Sequence, residues 1–245
     1  MDVKKATENL IEWIREWFTI NGPDCNAIIG ISGGKDSTIV AALCVQALGK
    51  DRVIGVMMPN GDQKDINDSI RVCKYLGIKN YTINIQDAIA ALGKQFFFSV
   101  SNQTAVNLPP RIRMATLYAI GQSHNGRVAN TCNRSENFVG YETKFGDGAG
   151  DFAPLANLTV REVLAIGDYL GLPHDLVHKI PMDGLNLNPD GSYVTDEQNL
   201  GITYNEIDDY LLNGVIPAEP TFNRMMDLHC KAMAKNRMLA FGGII

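Results

Sequence analysis

Apolar positions along the chain follow two alternating rhythms. Over residues 2–20, Leu10, Ile11, Ile14, Trp17 and Phe18 fall on one face at helical spacing, which predicts an amphipathic helix. Asn21-Gly22-Pro23 ends it. Residues 25–31 then form a short apolar run of strand length, followed by a helical pattern over 38–48 closed by Gly49. The alternation repeats. Residues 52–58 read as a second strand ending at Pro59-Asn60-Gly61, and 66–76 as a helix closed by Gly77. Residues 81–85 read as a third strand and 87–98 as a helix. A further helix is expected over 112–123, after Pro109-Pro110, because proline suits a first helical turn. Residues 127–130 read as a fourth strand.

Strands alternating with helices of about ten residues predict an α/β fold with a doubly wound parallel sheet covered on both faces. Residues 140–157 are rich in Gly and Asp and read as loop, and a helix is expected over 159–170. The polar, turn-rich stretch 181–200 is long enough to be a mobile functional loop. Short helices are expected over 205–212 and, with a basic face, over 222–240. No repeat or linker divides the 245 residues, so one domain is expected over 1–245, with its α/β core at about 25–175.

Charge and composition remove several function classes. Lys and Arg number 22 against 27 Asp and Glu, a formal net charge of −5, which suits a non-specific nucleic-acid binder poorly. No run of some 18 apolar residues predicts a membrane span. The five cysteines (Cys25, Cys44, Cys73, Cys132 and Cys230) contain no C-x-x-C pair, which argues against a disulfide framework and fits a reducing cytoplasm. The four histidines lack metal-site spacing; His174 and His178 are i, i+4 without the H-E-x-x-H core.

The densest chemistry lies in Gly30-Ile31-Ser32-Gly33-Gly34-Lys35-Asp36-Ser37, between the first strand and a helix. Glycines let backbone amides approach an anion, and a helix N-terminus adds unpaired N–H groups and a favourable dipole. Ser32 and Ser37 offer hydroxyls and Lys35 a charge. Asp36 is out of place in a purely anionic site unless it holds Mg²⁺. A Walker A loop does not fit, since the spacing is one residue short and Asp36 replaces the metal-binding hydroxyl. Gly30-Ile31-Ser32-Gly33-Gly34 also satisfies G-x-S-x-G, the nucleophile elbow of serine hydrolases, but only one helix precedes the strand and Lys35, Asp36 and Ser37 are left without a task. A plain capped turn requires far less than this cluster.

S-G-G-x-D-S after a first strand resembles the loop of the ATP pyrophosphatases, which cleave ATP between its α and β phosphates. Further segments resemble ammonia-dependent NAD synthetase: Pro109-Pro110-Arg111-Ile112-Arg113-Met114-Ala115, Asn130-Thr131-Cys132-Asn133-Arg134-Ser135-Glu136 and Thr143-Lys144-Phe145-Gly146-Asp147-Gly148-Ala149-Gly150-Asp151. Pro59-Asn60-Gly61-Asp62-Gln63 and Pro181-Met182-Asp183-Gly184-Leu185, followed by Gly201-Ile202-Thr203-Tyr204, fit the same family. The ordered likeness spans about 25–215.

The resemblance implies a ligase that forms a C–N bond. It would amidate nicotinic acid adenine dinucleotide (deamido-NAD) with free ammonia through an acyl-adenylate, giving NAD⁺, AMP and pyrophosphate. It implies ATP as co-substrate, with Mg²⁺ held by Asp36 and Glu136. Residues 30–37 would cradle the phosphates, and Gln63 and Thr131 would touch ATP. Arg111, Lys144, Asp151 and His229 would bind deamido-NAD, and Asp147 would orient or deprotonate ammonium. It also implies a homodimer. The chain as given has no room for a glutaminase domain, so ammonia is the expected donor. Neither nucleic acid nor membrane is expected as a partner.

The chain departs from many relatives at four places. Val160, with Arg161 beside it, stands where a Lys would meet ATP, and Met182 stands where Thr or Ser follows the proline. Met57 stands where Arg is common, and Cys230 interrupts a His-Lys pair as His229-Cys230-Lys231. Nucleotide contacts there are expected to be altered. The competing classes are a tRNA-modifying pyrophosphatase, a serine hydrolase acting through Ser32 and a non-catalytic nucleotide-binding module.

Overall fold

A computed structural model describes residues 1–187 and 193–236, with the side chains of 183–187 and 193 excepted. Helix α1 (Val3–Asn21) is capped by Asp2, whose side chain accepts from the Lys5 amide at 3.1 Å. Its apolar stripe packs into the largest core cluster. Strand β1 (Asn26–Gly30) follows, then α2 (Lys35–Leu48), β2 (Val53–Met57), α3 (Ile66–Leu76) and β3 (Lys79–Thr82). Helices α4 (Gln86–Gly93) and α5 (Asn102–Ser123) lead to β4 (Gly126–Val128).

The four strands form one parallel sheet in the order β3-β2-β1-β4. Successive side chains of a strand point to opposite faces, and β1 shows it: Ala27 and Ile29 join the core under α1, α2 and α3, while Ile28 joins the core under α5. Both faces are therefore covered, as the apolar runs predict. The chain leaves β1 toward β2 on one side and reaches β4 on the other. This makes the carboxyl end of β1 the topological switch point, where crevices open in such sheets.

Beyond the sheet come α6 (Arg134–Val139), α7 (Val160–Tyr169), α8 (His174–Val177), β5 (Met182–Leu187), β6 (Tyr193–Thr195), α9 (Asp196–Leu200), α10 (Tyr204–Asn213) and α11 (Glu219–Asn236). A third apolar cluster around Val139, Val160, Ile207 and Met225 joins α6, α7, α10 and α11. Among the described residues, no helix is long and apolar enough to cross a membrane.

Three sequence expectations change, and one runs past the described residues. Helix α5 starts at Asn102 and runs through Pro109 and Pro110 instead of starting after them. Ser101 caps it by accepting from the Thr104 amide, so nucleation lies a full two turns before the prolines. Helix α4 stops at Gly93, leaving Phe97 and Phe98 exposed on the way to α5. The stretch expected as a loop over 181–200 is partly regular: β5 and β6 pair antiparallel and run into α9, while 188–192 lie outside the described residues. The terminal helix is seen to Asn236; the expected 237–240 also lie outside them.

Candidate active site

The loop after β1 is braced by its own hydroxyls. Ser37 Oγ accepts from the Ser32 amide (3.3 Å) and donates to the Gly34 carbonyl (3.3 Å), while Ser32 Oγ lies 3.1 Å from Ser37 Oγ and accepts from the Gly34 amide at 3.2 Å. Both serines are thereby engaged in shaping the loop. Gly33 sits at φ +80°, and a Cβ there would come within 2.9 Å of the Ser69 amide on α3, so only glycine fits. Gly34 caps α2 without a side chain, which leaves the first amides of the helix directed at the crevice.

Two carboxylates from separate strand ends meet here. Asp36 lies in the first turn of α2, and Glu136 in the first turn of α6 beyond β4. Asn133 joins them. Its side-chain oxygen accepts from the Glu136 amide and its backbone amide donates back to Glu136 Oε2, both at 3.0 Å, while its Nδ2 donates to Asp36 Oδ1 at 3.1 Å. Glu136 thus serves as cap partner through one oxygen and faces the crevice with the other. Lys35 Nζ lies 2.7 Å from Asp36 Oδ2 and 4.0 Å from Glu136 Oε1. Burial and the nearby Asp36 push the Glu136 carboxyl up to about 8, against the pull of Lys35. Two hard carboxylates beside a glycine-rich loop fit the way Mg²⁺ is usually held, with few protein ligands and substrate phosphates completing the shell. No cluster of three or more His, Cys, Asp or Glu that could hold a metal alone occurs among the described residues.

The crevice opens into a cavity of about 930 Å³. Gly30, Ile31, Ser32, Gly34, Lys35, Asp36 and Ser37 line it, together with Gln63, Arg111, Thr131, Glu136, Lys144 and Asp147. The fold therefore gathers thirteen of the sequence-predicted residues from five stretches of chain. Gln63 donates to Asp65 at 2.9 Å and Arg111 to the Lys144 carbonyl at 3.2 Å. Asp147 accepts from the Thr143 amide at 3.0 Å and closes the turn that carries Lys144. Phe145 in that turn sits at φ +64°, a costly left-handed conformation for an aromatic residue.

Three predicted residues lie elsewhere. Gly33 faces α3 beneath the loop. Asp151 accepts from the Val128 amide (2.7 Å) and from the Tyr118 hydroxyl (3.2 Å), both away from the cavity lining. His229 stacks on Phe138 at 4.1 Å and bonds its carbonyl oxygen at 2.9 Å, within the packing of α11 on α6. Of the departures, Val160 is buried in the third cluster, and Arg161 pairs outward with Asp209 at 2.8 Å instead of reaching the cavity. Met57 is core, whereas Met182 lines the cavity.

Sequence reasoning gave Asn133, Asn130 and Lys179 no role. Asn130 donates to the carbonyls of Asp147 (2.9 Å) and Ala149 (3.1 Å), hanging the 143–151 loop from the end of β4. Lys179 binds Asp65 (2.7 Å) and Asp68 (2.8 Å) at the cavity edge. For Asn133 a signal was present, since Asn three residues before Glu is a capping-box pattern.

Comparisons with known proteins point to one family. The model describing NAD synthase matches residues 6–236. The NH(3)-dependent NAD(+) synthetase of Thermococcus sibiricus is 40% identical over 211 residues, covering 86% of this chain and 81% of that protein. A solved structure described as NMN synthetase from Francisella tularensis superposes end to end, covering 100% of both chains with TM-score 0.87 and 34% identity. The NH3-dependent NAD synthetase from Campylobacter jejuni, in complex with nitrate, gives TM-score 0.78 and 28% identity over 99% of this chain and 100% of that one.

Proposed function

The chain belongs to the NAD synthase family, and from that premise we propose how its residues carry out the last step of NAD biosynthesis. The enzyme is a ligase that amidates deamido-NAD with free ammonia at the expense of ATP. A ring carboxylate is already a nucleophile, so adenylation at the α-phosphorus needs no general base; it needs alignment and neutralised phosphate charge. The amides of 30–37 receive the phosphates. Asp36 and Glu136 would hold Mg²⁺, which supplies charge neutralisation to the leaving pyrophosphate. Thr131 and Gln63 border the nucleotide, Arg111 and Lys144 meet the anionic dinucleotide, and Asp147 orients the incoming nitrogen. Asp151 and His229 are kept as substrate residues only in a dimer, where a second copy completes the site. Exposed Phe97 and Phe98 offer an apolar surface for such pairing. The five free thiols, four of them buried, suit the cytoplasm.

The observation that carries this reading is the joining of Asp36 and Glu136 by Asn133 over a glycine loop at the sheet's switch point. The test is mass spectrometry of products from protein, deamido-NAD, MgATP and ammonium. NAD⁺, AMP and pyrophosphate are expected; ADP in place of AMP, or no NAD⁺, overturns it. A second reading is favoured by the end-to-end superposition on the structure described as an NMN synthetase. It amidates the same pyridine carboxylate on a mononucleotide. Comparing kcat/KM for nicotinic acid mononucleotide and dinucleotide decides between them, the dinucleotide being expected to lead.

A further inference from the structure

Lys35 is the first residue of α2, on a loop read as a phosphate cradle, yet its ammonium is turned to carboxylates. Its side chain is only 4% exposed. Asp36 Oδ2 lies at 2.7 Å and Glu136 Oε1 at 4.0 Å, and the ring of Tyr204, from α10, covers it at 5.6 Å. Asp196, itself buried, also acts on it electrostatically. Tyr204 donates to Asp196 at 3.4 Å. The ammonium is thus enclosed by three acidic residues, and the two nearest are the pair assigned above to the divalent cation.

We propose that Lys35 is the resident counter-cation of the Asp36–Glu136 pair, and that a divalent cation gains this pair only as the ammonium leaves it. The proposal rests on the reading of Asp36 and Glu136 as metal-holding residues. Two buried carboxylates without a cation would repel each other and pull the two strand ends apart. With Lys35 between them, the crevice keeps its shape before any ligand arrives. A divalent cation and an ammonium repel when they share one small carboxylate pair. Lys35 lines the same cavity as the loop amides, so phosphates bound there would give the displaced ammonium new partners. Cation and nucleotide should therefore bind cooperatively, each weakly alone.

The experiment measures Mn²⁺ binding to nucleotide-free protein by electron paramagnetic resonance, for wild type, Lys35→Met and Lys35→Gln. The uncharged variants are expected to bind Mn²⁺ at least tenfold more tightly. A non-hydrolysable ATP analogue should strengthen Mn²⁺ binding more in wild type than in either variant. Variants that bind no more tightly than wild type overturn the proposal. Tighter binding that survives Glu136→Gln in the Lys35→Met background overturns the metal assignment beneath it, so the two failures are separable. If neither variant folds, wild type decides: micromolar Mn²⁺ binding without nucleotide, abolished by Glu136→Gln, overturns the proposal. Binding that appears only with the analogue upholds it.

Discussion

Asn133 does more for the crevice than its neutral side chain suggests. It caps α6, receives the Glu136 amide and steadies Asp36 across 97 residues of sequence. Asn133→Ala removes both bonds of its side chain. The lost cap alone should cost about 1 kcal/mol, read by urea unfolding. Activity should fall further, by roughly 10–100-fold, as expected when a residue orienting the carboxylates proposed to hold a metal is lost. A fall in activity no larger than the stability loss explains would refute this role. The loop itself was legible because glycine, serine and acid types crowd into eight positions. The Asn133–Asp36 bond was not, since it exists only once β4 lies beside β1 in the sheet, and no local spacing encodes that neighbour.

At the level of elements, helix α3 and the segment leading to β5 are clasped by charge. Lys179 bonds Asp65 and Asp68, Arg71 bonds Asp175 at 2.8 Å, and the Tyr75 hydroxyl donates to the Gly171 carbonyl. Against the upward push of partial burial, bonds from Lys179 and Gln63 hold Asp65 below the ordinary carboxyl value. Against the downward push of burial, the two aspartates hold Lys179 above its own. A lowered acid stabilises above its unfolded value, about 4, and that contribution fades as pH falls through the folded one. A raised lysine stabilises below about 10.4, and its contribution fades as pH rises through the folded value. The stability difference between wild type and Lys179→Met should thus be flat from about pH 5 to 9. It should be about 1 kcal/mol at most for so exposed a clasp, and shrink below about pH 4. Melting curves across pH would show it; a difference that grows in acid contradicts it. Periodic apolar stripes made α1, α2, α3 and α7 readable in advance. The first turns of α5 were hidden by two prolines, and the β5–β6 ribbon by polar turn residues that suit a loop equally well.

The molecule is organised by its four-stranded sheet, which has a single reversal of winding. Residues that the chain separates by more than a hundred positions share its crevice for that reason. Its outer strands need protection, because unpaired strand edges invite pairing with other chains. Strand β3 is short and begins with Lys79, itself a deterrent. Strand β4 is shielded differently. The Asp151 amide donates to the Val128 carbonyl, Asp151 Oδ2 accepts from the Val128 amide, and the Asn130 amide reaches the Phe152 carbonyl. Asp151→Ala orphans a buried amide and should cost about 1–3 kcal/mol by urea unfolding. The Tyr118 phenol, held up at about 12 by burial and by Asp151, should titrate nearer its ordinary value, which ultraviolet absorbance would follow. An unchanged phenol titration would count against the contact. A carboxylate placed to seal a strand has a second consequence: it acts as a guard against polymerisation. Stripped of it, the protein should turn from a clear solution to fibrous or turbid assemblies on standing.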